Sequence, residues 1–213
     1  MRMYSVGCVI GGLLLSMAVG LPHAYAQGNA PGGADAETLP LGAALPAVTL
    51  YDVQQEERVS TDALRGRRAT AVVFWSNQCL WIDRYEARMQ ALSADLNAEG
   101  VAFVLVNAND ATAFAGESRT ASAERARGYD QMRYLRDENA TLARELGATR
   151  TPHAFLFDAQ GQLVYKGAVD DSPGNPDAVE TPYLREAIQA MLRDAPVPEP
   201  ETRPFGCMLK PPR

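Results

Sequence analysis

The sequence predicts an α/β domain in which a central mixed β-sheet is flanked by helices, and three observations carry that prediction. Ala69 to Trp75 (ATAVVFW) is a short unbroken apolar run rich in β-branched residues, the pattern of a strand buried on both faces. Directly after it, Cys79 to Ala98 places Ile82, Tyr85, Met89, Leu92 and Leu96 at three- and four-residue steps, the period of a helix with one apolar face. Further on, His153 to Phe157 and Leu163 to Lys166 are apolar runs separated by Asp158-Ala159-Gln160-Gly161, a hairpin signal that ends the sheet antiparallel.

The remaining elements fall between these landmarks. Val48 to Tyr51 reads as a short strand, and Ser60 to Leu64 as a turn or short helix opened by a Ser/Thr/Asp cluster. Ser76 and Asn77 are good N-caps for the helix that follows, and Gly100 ends it. Val101 to Val106 is a second buried strand, closed by Asn107-Ala108-Asn109-Asp110 at the carboxyl edge, where open α/β sheets present their sites. Ala121 to Asp137 is expected to be helical, as is Ala140 to Leu146 before Gly147. Pro182 to Arg193 makes a last amphipathic helix with Leu184, Ile188, Met191 and Leu192 on one side.

Length and composition narrow the class. The chain has 213 residues, 46% of them apolar and 22% charged, which fits one globular domain with extensions and disfavours disordered, collagen-like or coiled-coil readings. A formal charge of −6 leaves no electrostatic footprint for a phosphate backbone, so nucleic acid is not an expected partner. Residues 1–26 read as a signal peptide, with Arg2 as its basic residue, Val9 to Leu21 as its apolar stretch and Ala24-Tyr25-Ala26 as its cleavage site. The expected localisation is exported, periplasmic or secreted. Residues 27–45, rich in Gly, Ala and Pro, read as a flexible leader, residues 46–194 as the domain, and residues 195–213 as a proline-rich tail carrying Cys207.

Cleavage would remove Cys8 and His23, leaving Cys79, Cys207 and His153 as the mature cysteines and histidine. Export places two thiols where disulfides persist, which suits a disulfide and a redox thiol equally. Cys79, expected in the first turn of its helix, faces unpaired N–H groups and the positive end of the helix dipole, both of which favour a thiolate. The competing reading is a buried structural cysteine.

The order of elements, with Phe74-Trp75-Ser76-Asn77-Gln78-Cys79 after the central strand and Thr151-Pro152 before the hairpin, resembles the thioredoxin-like superfamily over residues 46 to 194. The leading Leu45-Pro46 and the stretch Tyr165 to Asp171 look more like its redoxin branch, the alkyl hydroperoxide reductase and thiol-specific antioxidant group, in exported bacterial form. The resemblance implies a thioredoxin-like fold and a thiol-disulfide oxidoreductase or thiol-dependent antioxidant with Cys79 as nucleophile. It implies a cis proline at Thr151-Pro152, a binding loop made by Thr151, Pro152, His153 and Trp75 beside the cysteine, a disulfide or peroxide substrate and an external thiol reductant.

The departures bear on mechanism. A Cys-x-x-Cys would need a second cysteine at Ile82 or Ser76, and neither position has one. The buried carboxylate of typical thioredoxins corresponds to Val73. Ser76 satisfies the Thr or Ser that peroxiredoxins carry three residues before their cysteine, whereas Val72 replaces their proline. Cys207 could act as the resolving thiol, since the tail from Ala195 is long enough to reach across the domain, but a structural disulfide and no contact at all stay open.

His153 could pair with Cys79 or point away from it, since residues alternate along a strand. No metal site is expected, because two or three ligands lack motif spacing. The absence of Cys-x-x-Cys-His excludes covalent haem, and no cofactor is called for. Asp83, Arg84 and Glu86 read as solvated helix charges, with Arg84 able to fold back on Cys79. Arg119, Arg125 and Arg127 read as an exposed basic face, and Asp170-Asp171 as a simple turn. The alternative function is a catalytically reduced thioredoxin-like binding module whose groove beside Pro152 holds a peptide or a partner protein.

Overall fold

Six consecutive buried residues, β3 (Ala69–Phe74), form an interior strand of a seven-stranded sheet, as their unbroken apolar run requires. In a computed structural model, which describes residues 1–3 and 38–213, β3 lies parallel to β4 (Val101–Asn107) on one side and antiparallel to β7 (His153–Asp158) on the other. The hairpin partner β8 (Leu163–Gly167) closes one edge. At the other, β5 (Met132–Arg136) runs parallel to β4, and β1 (Thr49–Asp52) and β2 (Glu57–Ser60) add an antiparallel pair, giving the order β2-β1-β5-β4-β3-β7-β8. The sheet is mixed and flanked by helices, the thioredoxin-like arrangement.

Alternation along the strands divides the core in two. Val73, Trp75, Ala154 and Leu156 face α1 (Leu80–Leu96) and α4 (Tyr183–Leu192), whereas Val72, Phe74 and Phe155 face α3 (Thr141–Leu146). Helix α1 ends through a short 3₁₀ turn at Gly100, whose φ of 92° is accessible to glycine at little cost.

The expected helix over Ala121 to Asp137 is corrected. Helix α2 (Arg119–Ala126) stops before Gly128, and Met132 to Arg136 joins the sheet as β5. The two arginines of this strand are drawn to partners in other segments. Arg133 pairs with the fully buried carboxylate of Asp52, and Arg136 donates to the Asn109 carbonyl at 2.8 Å. Tertiary partners override the local charge pattern.

Both ends of the domain extend further than composition suggests. Within the expected flexible leader, Leu39 N–H bonds Leu146 O, Leu45 is buried, and the Lys166 ammonium bonds Thr38 Oγ1 at 2.7 Å. The tail runs beside β8, where Thr202 N–H and Lys166 N–H bond across to Lys166 O and Pro200 O. It then ends as β9 (Cys207–Met208), paired with the short β6 (Arg150–Thr151). The expected signal peptide falls almost wholly on residues 4–37, outside the described residues. Among the described residues, no helix is long and apolar enough to cross a membrane.

Candidate functional site

Cys79 is the N-cap of α1, one position ahead of the expected first turn, and makes no side-chain cap bond. Strand β3 delivers it to the carboxyl edge of the sheet through Trp75-Ser76-Asn77-Gln78. Its side chain is 1% exposed and disulfide-bonded to Cys207, with the two Cα atoms 6.0 Å apart. The bridge joins residues 128 apart in the chain. The sulfur of Cys79 rests 3.3 Å from the carbonyl oxygen of Thr151, in a Thr151-Pro152 peptide that is cis.

Cys207 reaches this point as part of a two-residue antiparallel ladder in which Thr151 faces Cys207 and Arg150 faces Met208. The flanking tail is anchored by Phe205, which packs edge-on against Trp81 at 4.8 Å, and by Lys210, whose N–H bonds Asn109 Oδ1 at 2.8 Å. A Cβ on Gly206 would collide with the Thr151 carbonyl, and its φ of 149° also favours glycine.

Ser76 and Asn77 do not cap the helix. The Ser76 hydroxyl donates to Glu117 Oε1 at 2.5 Å, and the N–H groups of Asn77 and Gln78 donate to Glu117 Oε2 and Oε1 at 2.9 and 3.3 Å. Asn107 Nδ2 adds a fourth bond, to Oε2 at 2.7 Å. Glu117 is 3% exposed. Burying a carboxylate costs several kcal/mol, and four hydrogen bonds to a charged acceptor, each worth roughly 1.5–3 kcal/mol, offset it. Sequence reasoning missed Glu117, which lies between β4 and α2 in a run of small residues with no motif around it. A buried acid thus stands at the site, contributed by the segment between β4 and α2. Ser76, Gln78, Cys79, Glu117, Cys207 and Lys210 line one cavity of about 50 Å3.

The other expected site residues are placed differently. Trp75 is fully buried in the core and donates its indole N–H to the Tyr129 hydroxyl at 3.2 Å, so it lines no groove. His153 does not pair with Cys79. Strand alternation turns it to the opposite face, where its ring packs 4.4 Å from Phe155 and Nδ1 accepts the Thr149 N–H. Burial, reinforced by the Lys166 ammonium, pushes its pKa down to about 3, so it is neutral at ordinary pH.

The charges around the site are engaged elsewhere. Arg84 turns to the Gly174 carbonyl and the Trp81 ring instead of folding back on Cys79. Arg125 is not a solvated residue: it bonds the Asn77 carbonyl at 3.0 Å and the carboxylates of Asp83 and Glu86 at 2.7 Å. Asp170 is more than a turn residue, because it is buried, accepts from the Tyr85 hydroxyl at 3.0 Å and pairs with Arg88 at 2.5 Å.

A cysteine bridge at the edge of a thioredoxin-like sheet, beside a cis proline, defines the class as a thioredoxin-like redox protein. The Redoxin family model matches residues 40–181, and the chain belongs to that family. No curated protein matches the chain. Among solved structures, a conserved protein of Geobacillus kaustophilus is similar at 32% identity and a TM-score of 0.75, covering 80% of this chain and 92% of its own. A hypothetical protein of Sinorhizobium meliloti 1021 is similar at 29% identity and a TM-score of 0.75, with 83% and 97% covered. A protein of Chlorobium tepidum, provisionally described as a thiol:disulfide interchange protein, shares the fold at 18% identity and a TM-score of 0.55, with 74% and 98% covered.

Proposed function

We propose that this chain is an exported thiol-disulfide oxidoreductase in which Cys79 and Cys207 are the working couple and Cys79 is the nucleophile. The single observation that carries the reading is the bridge between them, set at the helix terminus beside Thr151-Pro152. In the oxidised protein Cys79 is buried while Cys207 is half-buried, so an external thiolate reaches the Cys207 sulfur. Attack there forms a mixed disulfide on Cys207, breaks the bridge and expels Cys79 as the leaving thiolate. A second external thiol attacks the mixed disulfide and leaves both cysteines reduced.

Reduced Cys79 then gives up its proton to solvent and attacks a substrate disulfide as the thiolate, forming a mixed disulfide and releasing one substrate thiolate. Attack by Cys207 on Cys79 sulfur restores the bridge and releases the other. With a peroxide, attack by Cys79 cleaves the O–O bond, leaving a sulfenic acid on Cys79 and releasing water or an alcohol, and attack by Cys207 then forms the bridge and expels water. The redoxin family supports disulfide substrates and thiol reductants in general terms.

The test is steady-state reduction of a glutathionylated peptide and of hydrogen peroxide, with dithiothreitol as the electron source. Catalysed turnover of either substrate should fall at least 100-fold in Cys79→Ser. Turnover unchanged in that variant sinks the mechanism, and a wild-type protein inert toward both substrates favours the binding-module alternative.

A further inference from the structure

We propose that Glu117 is the positioning residue that sets the reactivity and the reduction potential of the cysteine couple, by fixing a negative charge where α1 begins beside Cys79. The inference rests on the redox reading of that couple.

A helix N-terminus normally favours a cysteine thiolate through its free N–H groups and dipole. Here the loop just before the N-cap also carries an anion: the N–H groups of Asn77 and Gln78 bond the Glu117 carboxylate, and Ser76 and Asn107 complete its shell. All four neighbours are placed as donors, the arrangement that suits a carboxylate anion. Glu117 and both cysteines also share one cavity of about 50 Å3, with space for only a small number of waters. Once the bridge is reduced, a thiolate on Cys79 would be a second anion in that space, and like charges disfavour each other.

Reduction of the bridge by two external thiols therefore leaves Cys79 protonated, its proton coming from the reductant. A reduced form deprived of its stabilised thiolate makes a more reducing couple. Glu117 makes the bridge stable when formed and holds Cys79 as a thiol until a substrate arrives.

Other charged and titratable groups also face the site. From α2, Arg125 reaches the Asn77 carbonyl but is held by Asp83 and Glu86 of α1. From β5, Arg136 is buried and bonds the Asn109 carbonyl, and Tyr134 donates its hydroxyl to Asn77 with its pKa raised by burial. From the tail, Lys210 lines the cavity with its ammonium over the Phe114 ring at 4.6 Å. On β7, His153 faces the other side of the sheet.

Three measurements test the proposal. Titration of the couple in glutathione buffers should show Glu117→Gln displaced at least tenfold toward the dithiol, about 30 mV less reducing, with Glu117→Asp close to wild type. In a Cys207→Ser background, Glu117→Gln should speed iodoacetamide alkylation of Cys79 at pH 7 at least tenfold and lower the midpoint of the rate-pH profile. A loosened loop would raise the rate without moving that midpoint. Independently of any variant, the wild-type potential should follow two protons per two electrons without a break up to pH 8.

An unmoved potential and midpoint, or a break below pH 7, overturns the role of Glu117 while leaving the couple intact. A wild-type bridge that resists reduction across the whole buffer range overturns the redox reading itself, and the proposal with it.

Discussion

The two arms that meet in the disulfide are held in different ways. The Cys79 arm leaves strand β3, and its loop is fastened by Glu117, Tyr134 and the half-buried Arg125, from three separate segments, with Asn107 bonding Glu117 behind them. The Cys207 arm crosses the surface, and near the cysteine it is secured by a two-residue ladder, one edge-on aromatic contact and a few backbone bonds. The contrast is the basis for the roles proposed for the two sulfurs. A buried sulfur on a rigid loop is a defined leaving group and nucleophile, whereas a half-buried sulfur on a lightly held strap can be approached and can move.

The largest break in this contrast is removal of the bridge itself. Reduction, or Cys207→Ser, should lower unfolding stability by roughly 2–4 kcal/mol, since the bridge closes a loop of more than a hundred residues. Denaturant titration reads the change. Limited proteolysis should then cut the strap after Leu192 and spare the Cys79 loop. Equal cutting in both arms would show that they are held alike.

A smaller effect is expected from Gly206→Ala. The added methyl meets the Thr151 carbonyl in a backbone conformation that side chains rarely adopt, which should cost about 1–3 kcal/mol and speed opening of the bridge by dithiothreitol. Phe205→Ala should act in the same direction by about 1 kcal/mol through loss of the Trp81 contact. Opening rates identical to wild type in both variants would mean that the strap does not guard the bridge.

The smallest effect on the couple is expected at His153, behind the sheet. His153→Gln should leave Cys79 alkylation unchanged, yet it should alter acid stability. The folded protein keeps this imidazole neutral down to about pH 3, whereas the unfolded chain protonates it near 6.5. Stability from this group is therefore present above pH 6.5 and is lost as the pH falls toward 3. The variant should show a shallower drop in melting temperature between pH 7 and pH 4.5. A slope equal to wild type would contradict that burial.

How far the sequence reveals this depends on whether a feature is local. Strand β3, helix α1 and the β7-β8 hairpin were legible because an apolar run, a helical period and a turn signal lie in consecutive residues. Strand β5 was not, because the partners of Arg133 and Arg136 come from distant segments. Cys79 and the Thr151-Pro152 loop were found by their order in the chain. The side to which His153 points depends on strand phase, and the carboxylate of Glu117 meets the site only through long-range bonds to Ser76 and the loop amides. Nothing in a run of Ala, Gly and Ser around it marks that encounter.

The most direct measurement is to expose the oxidised protein briefly to limiting glutathione, block free thiols with iodoacetamide and map the modified cysteines by mass. The account predicts glutathione on Cys207 and the alkyl group on Cys79. Glutathione on Cys79 with alkylated Cys207 would contradict it.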